Sequence, residues 1–150
     1  MISVKVTKTS EETEKVGEEF ARQLNPQDVI FLIGKLGSGK TTFVKGLARG
    51  LGIVSRIISP TFVVVRQHTL PTTNYEILDG KVKTLYHLDL YRLQNTQEAL
   101  AIDMKDYLDD TSGIVAIEWP ELSQKIVNKK VWKVKIDVKN EMREISMSYE

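Results

Sequence analysis

Apolar and polar residues alternate at the start of the chain, where "ISVKVT" places Ile2, Val4 and Val6 on one face of a short strand. The spacing then lengthens to that of a helix. Val16, Phe20 and Leu24 form its buried stripe, Thr9 is placed to cap it, and Glu12 stands three residues further on, as in a capping box. Asn25 and Pro26 stop it. The next segment, "DVIFLI", is a continuous apolar run, the pattern of a strand covered on both faces in the middle of a parallel sheet. Glycines 34, 37 and 39 follow. Beyond them Phe43, Val44, Leu47, Ala48 and Leu51 mark one side of a second helix, ended near Gly50 and Gly52. The order is strand, glycine loop, helix.

The second half of the chain repeats the strand signal. A Ser-Pro turn leads into a strand from Phe62 to Arg66, and another strand-like stretch runs from Val82 to Asp89. A third ends at Glu118, where Pro120 terminates it. The connection "PTTNYEILDG", with Pro71, Asn74 and Gly80, predicts an extended hairpin, and "MKDYLDD" a helical segment. "VWKVKIDV" and "REISMSY" alternate around Lys139-Asn140 and read as a terminal antiparallel hairpin.

Length sets the expectation of one domain, residues 1–150, with a real core. A content of 41% hydrophobic and 27% charged residues excludes the disordered and fibrous classes. The formal net charge of +1 gives no general field for nucleic acid, so any RNA contact needs a local basic patch or another subunit. There is no cysteine, which removes disulfides, thiolate metal sites and cysteine nucleophiles together. The N-terminus lacks the apolar stretch of a secretion signal, and no apolar run is long enough to span a bilayer, so a cytoplasmic location without membrane attachment is expected.

The glycines carry the first candidate chemistry. An isolated glycine pair is most simply a sharp turn. Here Gly34, Gly39, Lys40 and Thr41 fit G-x-x-x-x-G-K-[ST] between a buried strand and an amphipathic helix, the context that a phosphate loop requires. Such a loop turns successive N–H groups inward around a phosphate, here from Gly34 through Leu36, Gly37, Ser38 and Gly39 to Lys40, Thr41 and Thr42. Helix-end electrostatics contribute only about 0.3–1 kcal/mol, whereas micromolar affinity needs roughly 8 kcal/mol. The remainder must come from several N–H bonds and from Lys40, whose ammonium bridges terminal phosphates. The Thr41 hydroxyl suits Mg²⁺, which prefers oxygen ligands.

Asp89 and Glu118 each end a strand-like stretch, and either fits the acidic partner that a phosphate-loop site needs beside its metal. Taken singly, an acid after an apolar strand is the solvated start of a loop. Two of them beside a phosphate loop shift the balance, because parallel strands deliver their C-terminal ends to the same sheet edge. Thr61 in "ISPTF" reads equally as a switch residue for the metal or γ-phosphate and as part of a turn into the next strand.

"GKLGSGKTTF", "SPTF", "YHLDLYRL" and "IEWPE", in this order, resemble the TsaE (formerly YjeE) family of small bacterial ATPases, over nearly the whole chain. The resemblance implies an α/β, P-loop NTPase-like three-layer fold: a central, mostly parallel sheet with helices on both faces and antiparallel hairpin additions. It implies an ATPase that uses ATP and Mg²⁺ and acts with the TsaB and TsaD proteins. That pathway forms threonylcarbamoyladenosine at position 37 of tRNAs reading ANN codons, with tRNA met through the complex and hydrolysis resetting it between cycles. Carried over residue by residue, Lys40 binds phosphate, Thr41 and Glu118 hold Mg²⁺, Asp89 orients or activates the attacking water, and Thr61 is the switch threonine. Ser10 and Thr13 match the adenine-side region, although helix capping explains the same residues. Trp119 reads as a packing or partner-facing residue.

Three positions depart from the family pattern. An acidic residue is usual where Lys35 stands, alanine is frequent at Ser38, and a glycine is frequent at Asp103. Arg143 is placed either to approach the base of the nucleotide or, more simply, as an exposed strand arginine; Asp109-Asp110 reads as a solvated loop, and His68 and His87 lack the companions of a metal site. Among rival functions, a GTPase lacks its N-K-x-D guanine reader, since "NKKV" at Asn128 ends in Val131. A small-molecule kinase needs an arginine-rich lid, and Arg56, Arg66 and Arg92 are scattered. A binding module that holds ATP with little turnover is the third alternative.

Overall fold

The computed structural model describes residues 2–60, 63–71 and 78–150. Its first helix shows how closely local sequence dictates local structure. Strand β1 (Ile2–Thr7) leads into helix α1 (Ser10–Ala21), where the Thr9 side chain accepts the Glu12 N–H at 3.1 Å. The Glu12 carboxylate reaches back one residue beyond the usual box and accepts the Lys8 N–H at 2.6 Å. The helix ends at Ala21, ahead of Asn25-Pro26, and Leu24 is buried in the turn that follows.

The central strand is the apolar run. Strand β2 (Val29–Ile33) pairs in parallel with both β5 (Gly113–Glu118) and β6 (Trp132–Lys139). Strand β4 (Thr84–Asp89) extends the parallel core on the far side of β5. Antiparallel strands flank it: β3 (Val65–Thr69) against β4, and β7 (Met142–Tyr149) between β6 and β1. The sheet order is β1-β7-β6-β2-β5-β4-β3. The terminal hairpin turns at Asn140 and Glu141, both at positive φ. The strand expected from Phe62 begins at Val65, and Thr61 and Phe62 lie outside the described residues. Most of the Pro71–Gly80 connection, expected as an extended hairpin, also lies outside them; the strands on either side of it, β3 and β4, pair antiparallel.

Each face of the parallel core has its own hydrophobic cluster. Helices α1 and α2 (Lys40–Gly50) cover one face, where Phe20, Phe43, Val44 and Leu47 meet Ile30, Leu32, Ala116 and Val134. The Phe20 ring lies 5.6 Å from Phe43 and meets Trp132 edge-on at 5.1 Å. On the opposite face Phe31, Leu88, Val115 and Ile117 pack with Ala99 and Met104 from the short helices α3 (Thr96–Ala101) and α4 (Met104–Asp109). The result is the three-layer architecture that helices on both sides of a parallel sheet produce. Ile2, Val4 and Val6 share a face of β1 as expected, yet that face is solvent-exposed, at 69%, 54% and 59%.

Two local details differ from the simplest reading of the sequence. Asp103 adopts a left-handed conformation (φ 60°) ahead of α4, the backbone state for which glycine is favoured. Asp110 is a structural acceptor, bonded by the Tyr86 hydroxyl at 2.7 Å and by the Ser112 N–H and hydroxyl at 2.9 Å. Burial, reinforced by that carboxylate, pushes the Tyr86 phenol up to about 12.

The α1–α2 contact depends on Gly46, where an added Cβ would run into the backbone carbonyl of Glu14. Backbone cannot move aside as a flexible side chain does. Gly46→Ala is therefore expected to lower stability by about 1–3 kcal/mol through overpacking, measurable as a lower urea midpoint at unchanged m-value.

Candidate nucleotide site

The site begins at the C-terminal end of β2, where residues 34–39 lead into α2. Gly39 takes φ 110°, a conformation strained for any L side chain, and passes the chain into the helix. Helix α2 starts without a side-chain cap and without an acidic residue in its first turn. Helix α1 provides the contrast, with Thr9 capping it and Glu11 and Glu12 in its first turn. The first N–H groups of α2 are thus left to an external acceptor, and the helix dipole favours an anion there.

Lys40 lies beneath this opening. Its ammonium donates to the carbonyls of Gly34 at 2.7 Å and Lys35 at 3.0 Å, and stands 4.2 Å from the centre of the Trp119 ring. Burial lowers its pKa, and the carboxylates of Glu118, Asp89 and Glu121 oppose that shift. Trp119, at φ 56°, also packs on Tyr91 with ring centres 4.9 Å apart.

Parallel pairing sets Asp89 directly opposite Glu118. Both are buried, at 3% and 2% exposure, and their surroundings differ. Glu118 Oε1 accepts the Thr41 hydroxyl at 2.9 Å and faces His87 Nε2 at 3.4 Å. Burial would raise the Glu118 carboxyl, but the close approach of His87, the Thr41 hydroxyl and the contact with Asp89 outweigh it and hold the group below its ordinary value. Asp89 Oδ1 instead accepts the Tyr91 N–H at 2.9 Å.

Lys40, Thr41, Asp89, Tyr91, Glu118 and Trp119 line one open cavity of about 280 Å³, together with Leu36, Gly37, Gly39, Thr42, Ser59 and Arg143. Gly34 and Ser38 form the rear of the loop, with Ser38 buried, and Thr13 is buried beside Gly39, its hydroxyl 2.7 Å from that of Thr7. Ser10 is exposed in the first turn of α1, outside the cavity lining, and Thr61 lies outside the described residues. Of the two readings of Arg143, the exposed strand arginine is the one corrected, since the residue is half-buried and lines the cavity. Its Nε donates to the Ser38 carbonyl at 2.9 Å, which clamps β7 onto the loop, and only the register of the terminal hairpin reveals this.

A magnesium ion suits this donor set. Thr41 and Glu118 supply oxygen at the start of α2, and no group of three or more His, Cys, Asp or Glu side chains among the described residues could hold a metal without further ligands. Mg²⁺ commonly takes its other ligands from phosphates and water.

Fold and site together define a three-layer α/β protein of the P-loop NTPase-like class. The chain belongs to the TsaE family, whose profile, described as threonylcarbamoyl adenosine biosynthesis protein TsaE, matches residues 7–145. It is similar to proteins named tRNA threonylcarbamoyladenosine biosynthesis protein TsaE. The one from Synechocystis sp. is 45% identical over 112 residues, 73% of this chain and 64% of that protein. The one from Bacillus subtilis is 39% identical over 116 residues, 77% and 65% of the two chains. The matched region therefore spans just under two thirds of these relatives. A crystal structure of Bacillus subtilis YdiB superposes with a TM-score of 0.77 at 27% identity, covering 99% of this chain and 86% of that one. Among the described residues no helix is long and apolar enough to cross a membrane.

Proposed function

We propose that this chain is an ATP-binding and ATP-hydrolysing accessory subunit in the formation of N6-threonylcarbamoyladenosine at position 37 of tRNAs reading ANN codons. The observation that carries the reading is the convergence of the uncapped start of α2, Lys40, Thr41, Asp89 and Glu118 on one cavity at the C-terminal edge of the parallel strands. In this reading the loop N–H groups and Lys40 hold the β- and γ-phosphates. Thr41 and Glu118 hold Mg²⁺, which when bound neutralises charge on the phosphate oxygens. Asp89, held by the Tyr91 N–H, orients the attacking water and accepts its proton. Thr61 acts as a switch residue, and Thr13 supports the adenine side.

The charges in the cavity support a dependence on partners. The cations among its described lining residues are Lys40 and Arg143, and the Arg143 guanidinium is anchored by its Nε on the Ser38 carbonyl, which limits its reach toward a γ-phosphate. A cation supplied in trans contributes about 10³–10⁵-fold in phosphoryl transfer. In this reading turnover is weak alone and strong on assembly with TsaB and TsaD, with hydrolysis resetting that complex between cycles and tRNA met through it. The test is hydrolysis of ATP and of GTP by the chain alone and with the TsaB–TsaD complex. ATP-selective stimulation is the expected result. No stimulation, with phosphate appearing on a small-molecule acceptor, would establish a kinase instead.

A further inference from the structure

We propose that His87 is a positioning residue that holds the Glu118 carboxylate in place for the nucleotide site. The inference rests on the reading of that site given above. His87 is two residues before Asp89 on β4, so strand alternation turns both side chains toward α2. Its cross-strand neighbour on β5 is Ala116, whose small side chain leaves room for an imidazole beside Glu118, one alternation further along the same face.

Three observations single this histidine out. Its side chain is completely buried, in a strand whose other inward residues on that face include the apolar Leu85. Neither ring nitrogen has a hydrogen-bond partner of good geometry among the described residues, a state that buried polar groups rarely keep without a use. The group that Nε2 does face is Glu118 Oε1, at 3.4 Å, slightly beyond a good hydrogen bond. A leucine would fill this position without leaving two ring nitrogens unsatisfied.

The other hold on Oε1 is the Thr41 hydroxyl at 2.9 Å. Thr41 is not dedicated to that contact, because the proposed function also gives it to the metal. His87 has no competing hydrogen-bond partner among the described residues, so on the sheet side it can hold the carboxylate together with the neighbouring Asp89, which the proposed function gives to the attacking water. Groups that orient a metal-side carboxylate in this way typically change metal affinity about 10–100-fold when removed.

The experiment compares wild type, His87→Leu, His87→Phe and His87→Asn by calorimetry with a non-hydrolysable ATP analogue, once with Mg²⁺ and once with EDTA. A thermal melt of each variant checks folding, and the two apolar variants differ in shape so that one folding failure does not end the test. His87→Leu or His87→Phe is expected to lose about tenfold or more of the affinity that Mg²⁺ adds and to retain the affinity seen in EDTA. His87→Asn, which keeps an N–H donor, is expected to recover much of the loss. In a Glu118→Gln background the apolar substitution should cause no further loss of Mg²⁺-dependent affinity. Apolar variants that keep the full Mg²⁺ gain while only their melting temperature falls would make His87 a packing residue and overturn the inference. Wild type that binds no nucleotide in either condition would overturn the underlying reading as well.

Discussion

Lys40→Ala is expected to weaken ATP binding by about two powers of ten, with the fold intact. The free protein already holds the ammonium inside the loop, on the Gly34 and Lys35 carbonyls and beside the Trp119 ring, so little reorganisation separates it from a phosphate. Its surroundings are also partly dry, as the burial-driven lowering of its pKa indicates, and charge-assisted bonds gain strength there. Truncating one partner of such a pair costs about 2–5 kcal/mol, and about 2.8 kcal/mol corresponds to a hundredfold change in Kd. The protein without ligand loses much less, because Gly34 is half-buried and Lys35 exposed, so water can reach the two released carbonyls. Calorimetry with ATP, beside a thermal melt without ligand, separates the two quantities. An unchanged Kd would remove Lys40 from the phosphate site.

The legibility of this site in the sequence follows a physical division. A continuous apolar run, a glycine loop and a helical stripe are local patterns, and they place β2, the loop and α2 correctly because one segment alone determines each. Asp89 and Glu118 were legible as strand ends. Parallel pairing makes them neighbours, with Cα positions in register although the residues are far apart in sequence. Arg143 and His87 could not be assigned this way. Arg143 reaches Ser38 only because β7 folds back beside β6, and His87 reaches Glu118 only because β4 pairs with β5. Nor does alternation reveal which face of an edge strand is covered. Ile2, Val4 and Val6 have the pattern of an inward face and remain exposed on β1, which pairs with β7 alone. Asp103 shows the opposite case, in which a residue without glycine's freedom occupies the left-handed position that the fold imposes.

The second large effect concerns the division of labour between the two buried acids, which strand position alone leaves open. Their contacts distinguish them. Glu118 is tied to Thr41 on the metal side, whereas Asp89 is held by the Tyr91 backbone N–H. Asp89→Asn preserves shape and the acceptor for Tyr91 while removing the charge that would take a proton from water. In the stimulated complex, turnover is therefore expected to fall by about 10²–10⁴-fold, the usual contribution of a positioned base, with Kd for ATP changed by only a few fold. Loss confined to the rate is the signature of an interaction made in the transition state. If Asn at position 89 weakened ATP binding as much as it slowed turnover, Asp89 would be a nucleotide ligand or a support for the loop. The attacking water would then need another base, and Glu118 is the remaining acid in the cavity lining among the described residues.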